Sequence, residues 1–205
     1  MKETGTVEVR EKSDISSPSR IYVYRIASYY DSTGQVLVDQ GNGDYVSFHE
    51  KGGIFRKGNY TSGYQQGPWL EYYPDGKLNF SEKFDRGELI EGVSYDKDGS
   101  SYAYTVMEQM PEFKGGISAL MEYLASHIKY PAKSQKQGIE GTVFVSFIVA
   151  KTGQIDEVAV VKGIGKECDA ESARVVRQMP PWKPGMQRGK AVPVKYTLPL
   201  RFRLH

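Results

Sequence analysis

The chain holds one cysteine, Cys168, and three histidines, His49, His127 and His205. A thiol beside an imidazole can serve as nucleophile and base. Neither a second histidine nor an oxyanion-donor motif accompanies Cys168 and His127, and Cys168 stands at a helix-start packing position. The histidines are scattered, without the H-x₃-H type of spacing that suits metal ligation. Asp96-Lys97-Asp98-Gly99 begins like a calcium loop, but position twelve, where a bidentate glutamate is needed, is Met107. A single cysteine excludes an intrachain disulfide and metal motifs built on cysteine pairs. No catalytic residue, metal site, cofactor or small-molecule substrate is therefore expected.

The totals narrow the remaining classes. There are 27 basic and 25 acidic residues, a formal net charge of +2, too balanced to argue for nucleic acid. No cluster of Lys and Arg reads as an anionic-lipid site. The most apolar run, Thr142 to Ala150, is far shorter than a membrane-crossing helix needs. The first 20 residues, MKETGTVEVREKSDISSPSR, lack the apolar middle of a signal peptide. Two placements follow as expectations: the cytosol, or beyond a removed leader or anchor. Fifteen Tyr and 22 Gly point to half-buried sheets with many turns.

The elements divide the chain into three. Residues 1–20 are polar and read as a flexible lead-in. Residues 21–102 read as antiparallel hairpins, aromatic runs alternating with Asp31-Ser32-Thr33-Gly34, Pro74-Asp75-Gly76-Lys77 and Asp96-Lys97-Asp98-Gly99. Gly43, Tyr45, Phe48 and Gly52 align with Gly67, Trp69, Tyr72 and Gly76 at an offset of 24, and Tyr72 and Gly76 with Tyr95 and Gly99 at 23. Such a period implies supersecondary units stacked in series. An unrelated β-meander is the competing reading. Trp69 is expected in the core, as is Trp182.

Residues 103–205 change pattern. Tyr104 to Met107 reads as a short strand. Ile117, Leu120, Met121, Leu124 and Ile128 fall on one helical face, and Tyr130-Pro131 ends that helix. A strand opens at Gly141, with Val143, Val145, Phe147 and Val149 facing one way. Lys151 to Gln154 turns it, and Ile155 to Val161 returns. Asp169 is placed as the N-cap of a second helix, accepting from Glu171 or Ser172, with Cys168 stapled onto Ala173. Pro180-Pro181 stops that helix. A last strand alternates Val192, Val194, Tyr196, Leu198, Leu200, Phe202 and Leu204 with polar positions. Pro193 and Pro199 share one parity of it, so both missing N–H groups face one edge, expected to be the outer one.

Two resemblances follow from these motifs. The glycine, aromatic, glycine unit over residues 29–101 resembles MORN-type repeats in the variant form of YwqK-like antitoxins. Pro111-Glu112-Phe113-Lys114-Gly115-Gly116, Tyr130-Pro131, Gly138-Ile139-Glu140-Gly141, Thr152-Gly153 and Trp182-Lys183-Pro184-Gly185 together resemble the C-terminal domain family of TonB. The fold implied is α+β: an N-terminal array of MORN-like hairpins, then two helices packed on a three- to four-stranded antiparallel sheet.

The TonB resemblance implies a non-enzymatic protein of the periplasm or cell envelope, serving transmembrane transport. Its partner would be an outer-membrane receptor segment, added as a strand to an exposed sheet edge. An inner-membrane energising complex would act through an anchor that these residues lack. The partner-binding residues it implies are Lys129, Tyr130 and Pro131 at the turn. To these the last strand adds Lys195 and Thr197, or Arg201 and Arg203, with pairing not expected to run continuously across Pro199. An edge strand also allows an edge-to-edge homodimer. The alternative is a soluble scaffold whose repeats hold a protein or lipid.

Overall fold

The structure is a computed structural model that describes residues 5–12, 21–31 and 33–204, with side chains described from Ile26 onward. The chain divides into two compact units, residues 1–107 and 108–205. The class is α+β, with an antiparallel strand array followed by helices packed on a second antiparallel sheet.

The first unit is a nine-stranded antiparallel meander in chain order. Its strands are β1 (Gly5–Lys12), β2 (Ile21–Tyr30), β3 (Val36–Asp39), β4 (Asn42–Phe48), β5 (Ile54–Thr61), β6 (Tyr64–Tyr72), β7 (Leu78–Asp85), β8 (Glu88–Tyr95) and β9 (Ser101–Tyr104). Gly5–Lys12 is thus a strand paired with β2, not part of a lead-in. Its alternating Val7 and Val9 suit a pleated strand, a pattern outweighed in the sequence reading by polar neighbours. The rest of the expected lead-in lies outside the described residues.

Turns of two kinds alternate along the meander. At one end, Gln40-Gly41, Ser62-Gly63 and Arg86-Gly87 have both residues at positive φ, the type I′ geometry that matches strand twist. The sequence reading missed these turns because Gln, Ser and Arg are unusual first residues there. At the other end Gly34, Gly52, Gly76 and Gly99 each donate back to residues Asp31, His49, Tyr73 and Asp96. The tight turns also bind one another. Gly63 N–H donates to Gly41 O at 2.8 Å and Gly87 N–H to Gln65 O at 2.9 Å. Ser62 N–H donates to Asn42 Oδ1 and Arg86 N–H to Gln66 Oε1. This contact pattern recurs at an offset of 24, the same offset seen between the Gly-aromatic motifs of the sequence.

The unit buries a ladder of rings. Tyr45 lies 4.6 Å from Tyr29 and 5.4 Å from Trp69, and Trp69 lies 6.5 Å from Phe84, between centroids. Trp69 covers Gly58, where a Cβ would stand 2.2 Å from the indole. Beside it Glu82 is buried, accepting from Tyr104 at 2.7 Å and from Arg56 at 3.2 Å. The Arg56 guanidinium lies 5.0 Å from the Trp69 centroid. One polar group is thereby held inside an aromatic core by two donors, the condition under which a buried charge is tolerated.

The second unit begins with β10 (Glu108–Gln109) and helix α1 (Gly116–His127), followed by a short helix α2 (Ala132–Lys136). Then come β11 (Gly141–Val149), β12 (Ile155–Lys162), α3 (Lys166–Arg177), β13 (Gly185–Gln187), β14 (Lys190–Val192) and β15 (Val194–Phe202). The main sheet runs β12-β11-β15, and a small sheet runs β10-β13-β14. Val143, Val145, Phe147 and Val149 are all fully buried, as their alternation requires. They meet Leu120 and Leu124 of α1 and Cys168, Val175 and Val176 of α3.

Four expectations change. The last strand is split at Pro193 into β14 and β15, because proline cannot donate to a ladder. Val192 pairs with Gly185 instead, and Leu204 lies outside β15 and is 37% exposed. Ile117 and Met121 are 64% and 56% exposed. The face α1 buries is centred on Leu120, Tyr123 and Leu124, and at roughly 100° per residue Ile117 and Met121 fall on its flank. Asp169 is not the N-cap, which is Gly165; its Oδ1 reaches back to accept from Ile164 N–H at 2.9 Å. Cys168 therefore packs from the first turn of α3 into the core. Tyr104 closes β9, with Thr105 to Met107 outside the strand.

Candidate partner-binding edge

The separated motifs of the second unit meet in space. Glu112 and Lys183 exchange two backbone hydrogen bonds, and Lys183 Nζ lies 2.7 Å from Glu112 Oε2. Phe113 sits edge-on to Trp182 at 5.6 Å. Trp182 N–H donates to Gly153 O at 2.8 Å. Tyr130 Oη donates to Ile139 O. The punctuation of the sequence is thus the set of closures that lock helices and turns around the main sheet.

These closures bring the Lys129-Tyr130-Pro131 turn to one end of β15. Lys129 N–H donates to Glu171 Oε1 at 2.7 Å, and Arg174 donates to His127 O at 2.9 Å. Arg174 also grips Glu171 at 2.7 Å, and that hydrogen bond holds the Glu171 carboxyl below its ordinary pKa. Tyr130 packs edge-on against Phe202, with centroids 5.3 Å apart. Desolvation, with Cys168 and Glu140 nearby, raises the Tyr130 pKa above the ordinary phenol value. Tyr130 is therefore half-buried on the helix-covered face, while the Lys129 side chain is exposed.

Lys195, Thr197 and Arg201 lie on β15, exposed, and Arg203 follows just beyond its end. Their side chains stand on the face opposite Leu198, Leu200 and Phe202, which are buried. The structure brings Tyr130 and the end of β15 together, but Tyr130 and the cations occupy opposite faces.

Backbone geometry distinguishes the two outer strands. β15 pairs with β11 in unbroken register from Gly141↔Phe202 to Val149↔Val194. Pro199 faces Phe144. A bonded antiparallel pair needs an N–H from each residue, so Phe144–Pro199 is a non-bonded pair. By alternation the N–H and C=O groups of Lys195, Thr197 and Arg201 point away from β11, toward the outer edge. The β12 edge is irregular. Its pairing with β11 slips twice, Glu157 has φ 49°, and Arg177 of α3 donates to Val158 O at 3.4 Å. Bulges and covered carbonyls blunt an edge. The flat edge is β15.

Other candidate chemistry is dispersed. Cys168 is fully buried. The exposed His127 has its Nδ1 2.8 Å from Tyr123 O, and its ring stacks on Tyr123 at 4.0 Å. Asp98 caps its own turn by accepting from Ser100 N–H at 2.9 Å. Among the described residues there is no group of three or more His, Cys, Asp or Glu placed to hold a metal ion. No helix among them is long and apolar enough to cross a membrane. In the first unit a shallow groove of about 450 Å³ is bordered by Asp44, Lys57, Asn59, Pro68 and Leu70.

Residues 126–204 match the family described as Gram-negative bacterial TonB protein C-terminal. The match spans the Tyr130-Pro131 turn, β11, β12, α3 and β15, and stops short of the Pro111 to Gly116 motif. That motif joins the matched span through Glu112–Lys183 and Phe113–Trp182. Among solved structures, the NMR solution structure of Helicobacter pylori TonB-CTD (residues 179–285) is similar at 21% identity, covering 43% of this chain and 80% of that one, with a TM-score of 0.35. No curated protein matches.

Proposed function

We propose that the second unit, residues 108–205, forms a non-enzymatic, TonB-like domain that holds an extended segment of a protein partner as an added strand on β15. The observation behind this reading is the regular, unpaired outer edge of β15, with main-chain donors and acceptors at Lys195, Thr197 and Arg201. Backbone bonds supply affinity in such additions and alternate side chains supply choice. The TonB family match suggests an outer-membrane receptor segment as the partner, a place in the cell envelope and a role in transmembrane transport. Coupling to an inner-membrane energising complex would require an anchor. The stacked turns and their period support reading residues 21–102 as MORN-like repeats.

The test is amide hydrogen exchange of the full chain with a receptor-derived peptide. New protection is expected at Lys195, Thr197 and Arg201. Equal new protection at Val194, Tyr196 and Leu198 would refute the edge assignment. In a second reading the groove beside Lys57 and Leu70 lets the repeats hold a protein or lipid as a scaffold, without energy coupling. Loss of partner binding on Lys57→Glu, with β15 amides unaffected, would favour that reading.

A further inference from the structure

The charge carried by β15 itself is one-sided. No Asp or Glu follows Glu171 in the chain, while that stretch carries eight Lys and Arg. Among the described residues Lys195, Arg201 and Arg203 enter no ion pair, unlike Lys133 with Glu167, Arg174 with Glu171 and Lys183 with Glu112. Across the sheet, Lys195 faces Ile148, and Asp156 is one strand further away. Arg201 faces Thr142. Glu140, just before β11, accepts from Leu204 N–H beside Arg203, whereas Lys195 and Arg201 within β15 are left without a neutralising partner by their own sheet.

Position makes those charges selective. The residues whose backbone groups point outward are also the ones carrying the cations. In an antiparallel addition, a residue bonded directly opposite one of them presents its side chain on the same face, with Cβ atoms about 5 Å apart. An incoming strand would therefore place every second side chain beside Lys195, Thr197, Pro199 and Arg201. Its interleaved side chains would continue the opposite face, beside the half-buried Val194 and Tyr196. We infer that the segment taken by β15 is acidic, alternating carboxylates on the cation face with apolar residues on the helix-covered face. This inference rests on the strand-addition reading of β15.

The same charges act against self-pairing. When β15 meets its own copy in the register of full overlap, Lys195 falls opposite Arg201, twice by symmetry. Centred on Pro199, the pairing puts Lys195 opposite Arg203. Like charges directly opposite destabilise a pair, so the edge homodimer is disfavoured and a carboxylate-bearing strand is favoured.

The test uses the full chain and three peptides of one length, alternating Val with Glu, Gln or Lys. Binding is read from β15 amide shifts and titration. The Glu peptide should bind at β15 roughly five- to tenfold more tightly than the Gln peptide at low salt, with the difference collapsing at high salt. The double substitution Lys195→Glu with Arg201→Glu should reverse the order of the Glu and Lys peptides. Equal binding of Glu and Gln peptides at β15 would overturn the acidic preference and leave strand addition standing. Perturbation of residues away from β15, or no binding by any peptide, would overturn both.

Discussion

Gly153→Ala should unfold the second unit at far lower denaturant than the native chain, because Gly153 is where two distant motifs close on each other. Its φ of +84° lies in the left-handed region, which costs an L side chain about 1–2 kcal/mol. A Cβ there would stand 1.9 Å from Trp182 O and 3.0 Å from Trp182 C. Both atoms are backbone, so no side-chain rotation relieves the clash. The turn must separate from Trp182, which breaks the 2.8 Å bond from Trp182 N–H to Gly153 O. That loss is worth about 1 kcal/mol. The indole, seated among Phe113, Phe147 and Tyr196, loosens as well. Overpacking adds about 1 kcal/mol or more, for a sum of about 3–5 kcal/mol. Each unit has one tryptophan, Trp69 or Trp182, so the two indole N–H signals in an NMR-monitored urea titration report the units separately. The Trp182 midpoint should fall and the Trp69 midpoint should hold, with exposed Thr152→Ala nearly neutral. A loss below about 1 kcal/mol at Trp182 would show that the turn and the Trp182 segment do not lock each other.

Pro199→Ala restores an edge N–H between those of Thr197 and Arg201. Peptide affinity should rise about two- to tenfold by titration calorimetry, while the free chain loses about 0.4–1 kcal/mol of stability as its unfolded state gains freedom. Glu82→Ala removes the acceptor shared by Arg56 and Tyr104 and should cost the first unit about 2–4 kcal/mol, read at the Trp69 indole. Burial pushes the Tyr60 phenol up to about 12 from 10.0, with the charge of Tyr45 adding to it. A raised folded pKa means the stabilisation is whole below about pH 10 and is lost as pH rises through about 12. Denaturation midpoints of the first unit should decline across that window, and Tyr60→Phe should flatten the decline.

Much of the local order was legible in the residues. Alternation of Val143, Val145, Phe147 and Val149 named a strand with one dry face because pleating sends alternate side chains to opposite sides. The aromatic and glycine period marked a serial array, since each hairpin needs its neighbour to cover its rings. Pro180-Pro181 marked the end of α3, whereas α1 stops at His127 with Ile128 already extended, and Pro131 caps the start of α2. The regularity of β15 suggested an edge from its prolines alone. The type I′ turns at Gln40-Gly41, Ser62-Gly63 and Arg86-Gly87 stayed hidden, because positive φ at Gln, Ser and Arg follows from hairpin closure and not from residue preference.

What local pattern could not decide was which groups meet across distance. Ile117 and Met121 have the spacing of a buried face, yet contact with the sheet selected the neighbouring face around Leu120 and Leu124. Asp169 has the chemistry of a cap, and only the path from β12 into α3 put the free N–H of Ile164 within its reach. The alternation from Val192 to Leu204 reads as one strand, whereas pairing of Val192 with Gly185 and of Val194 with Val149 assigned its two parts to different sheets. Periodicity and proline are properties of a few adjacent residues, so the sequence by itself determined the long, regular elements and the parity of the edge, but not β1, α2 or the split at Pro193. The tertiary structure alone decided that β12 is bulged while β15 is flat and open, because an edge exists only once every other strand has taken its place.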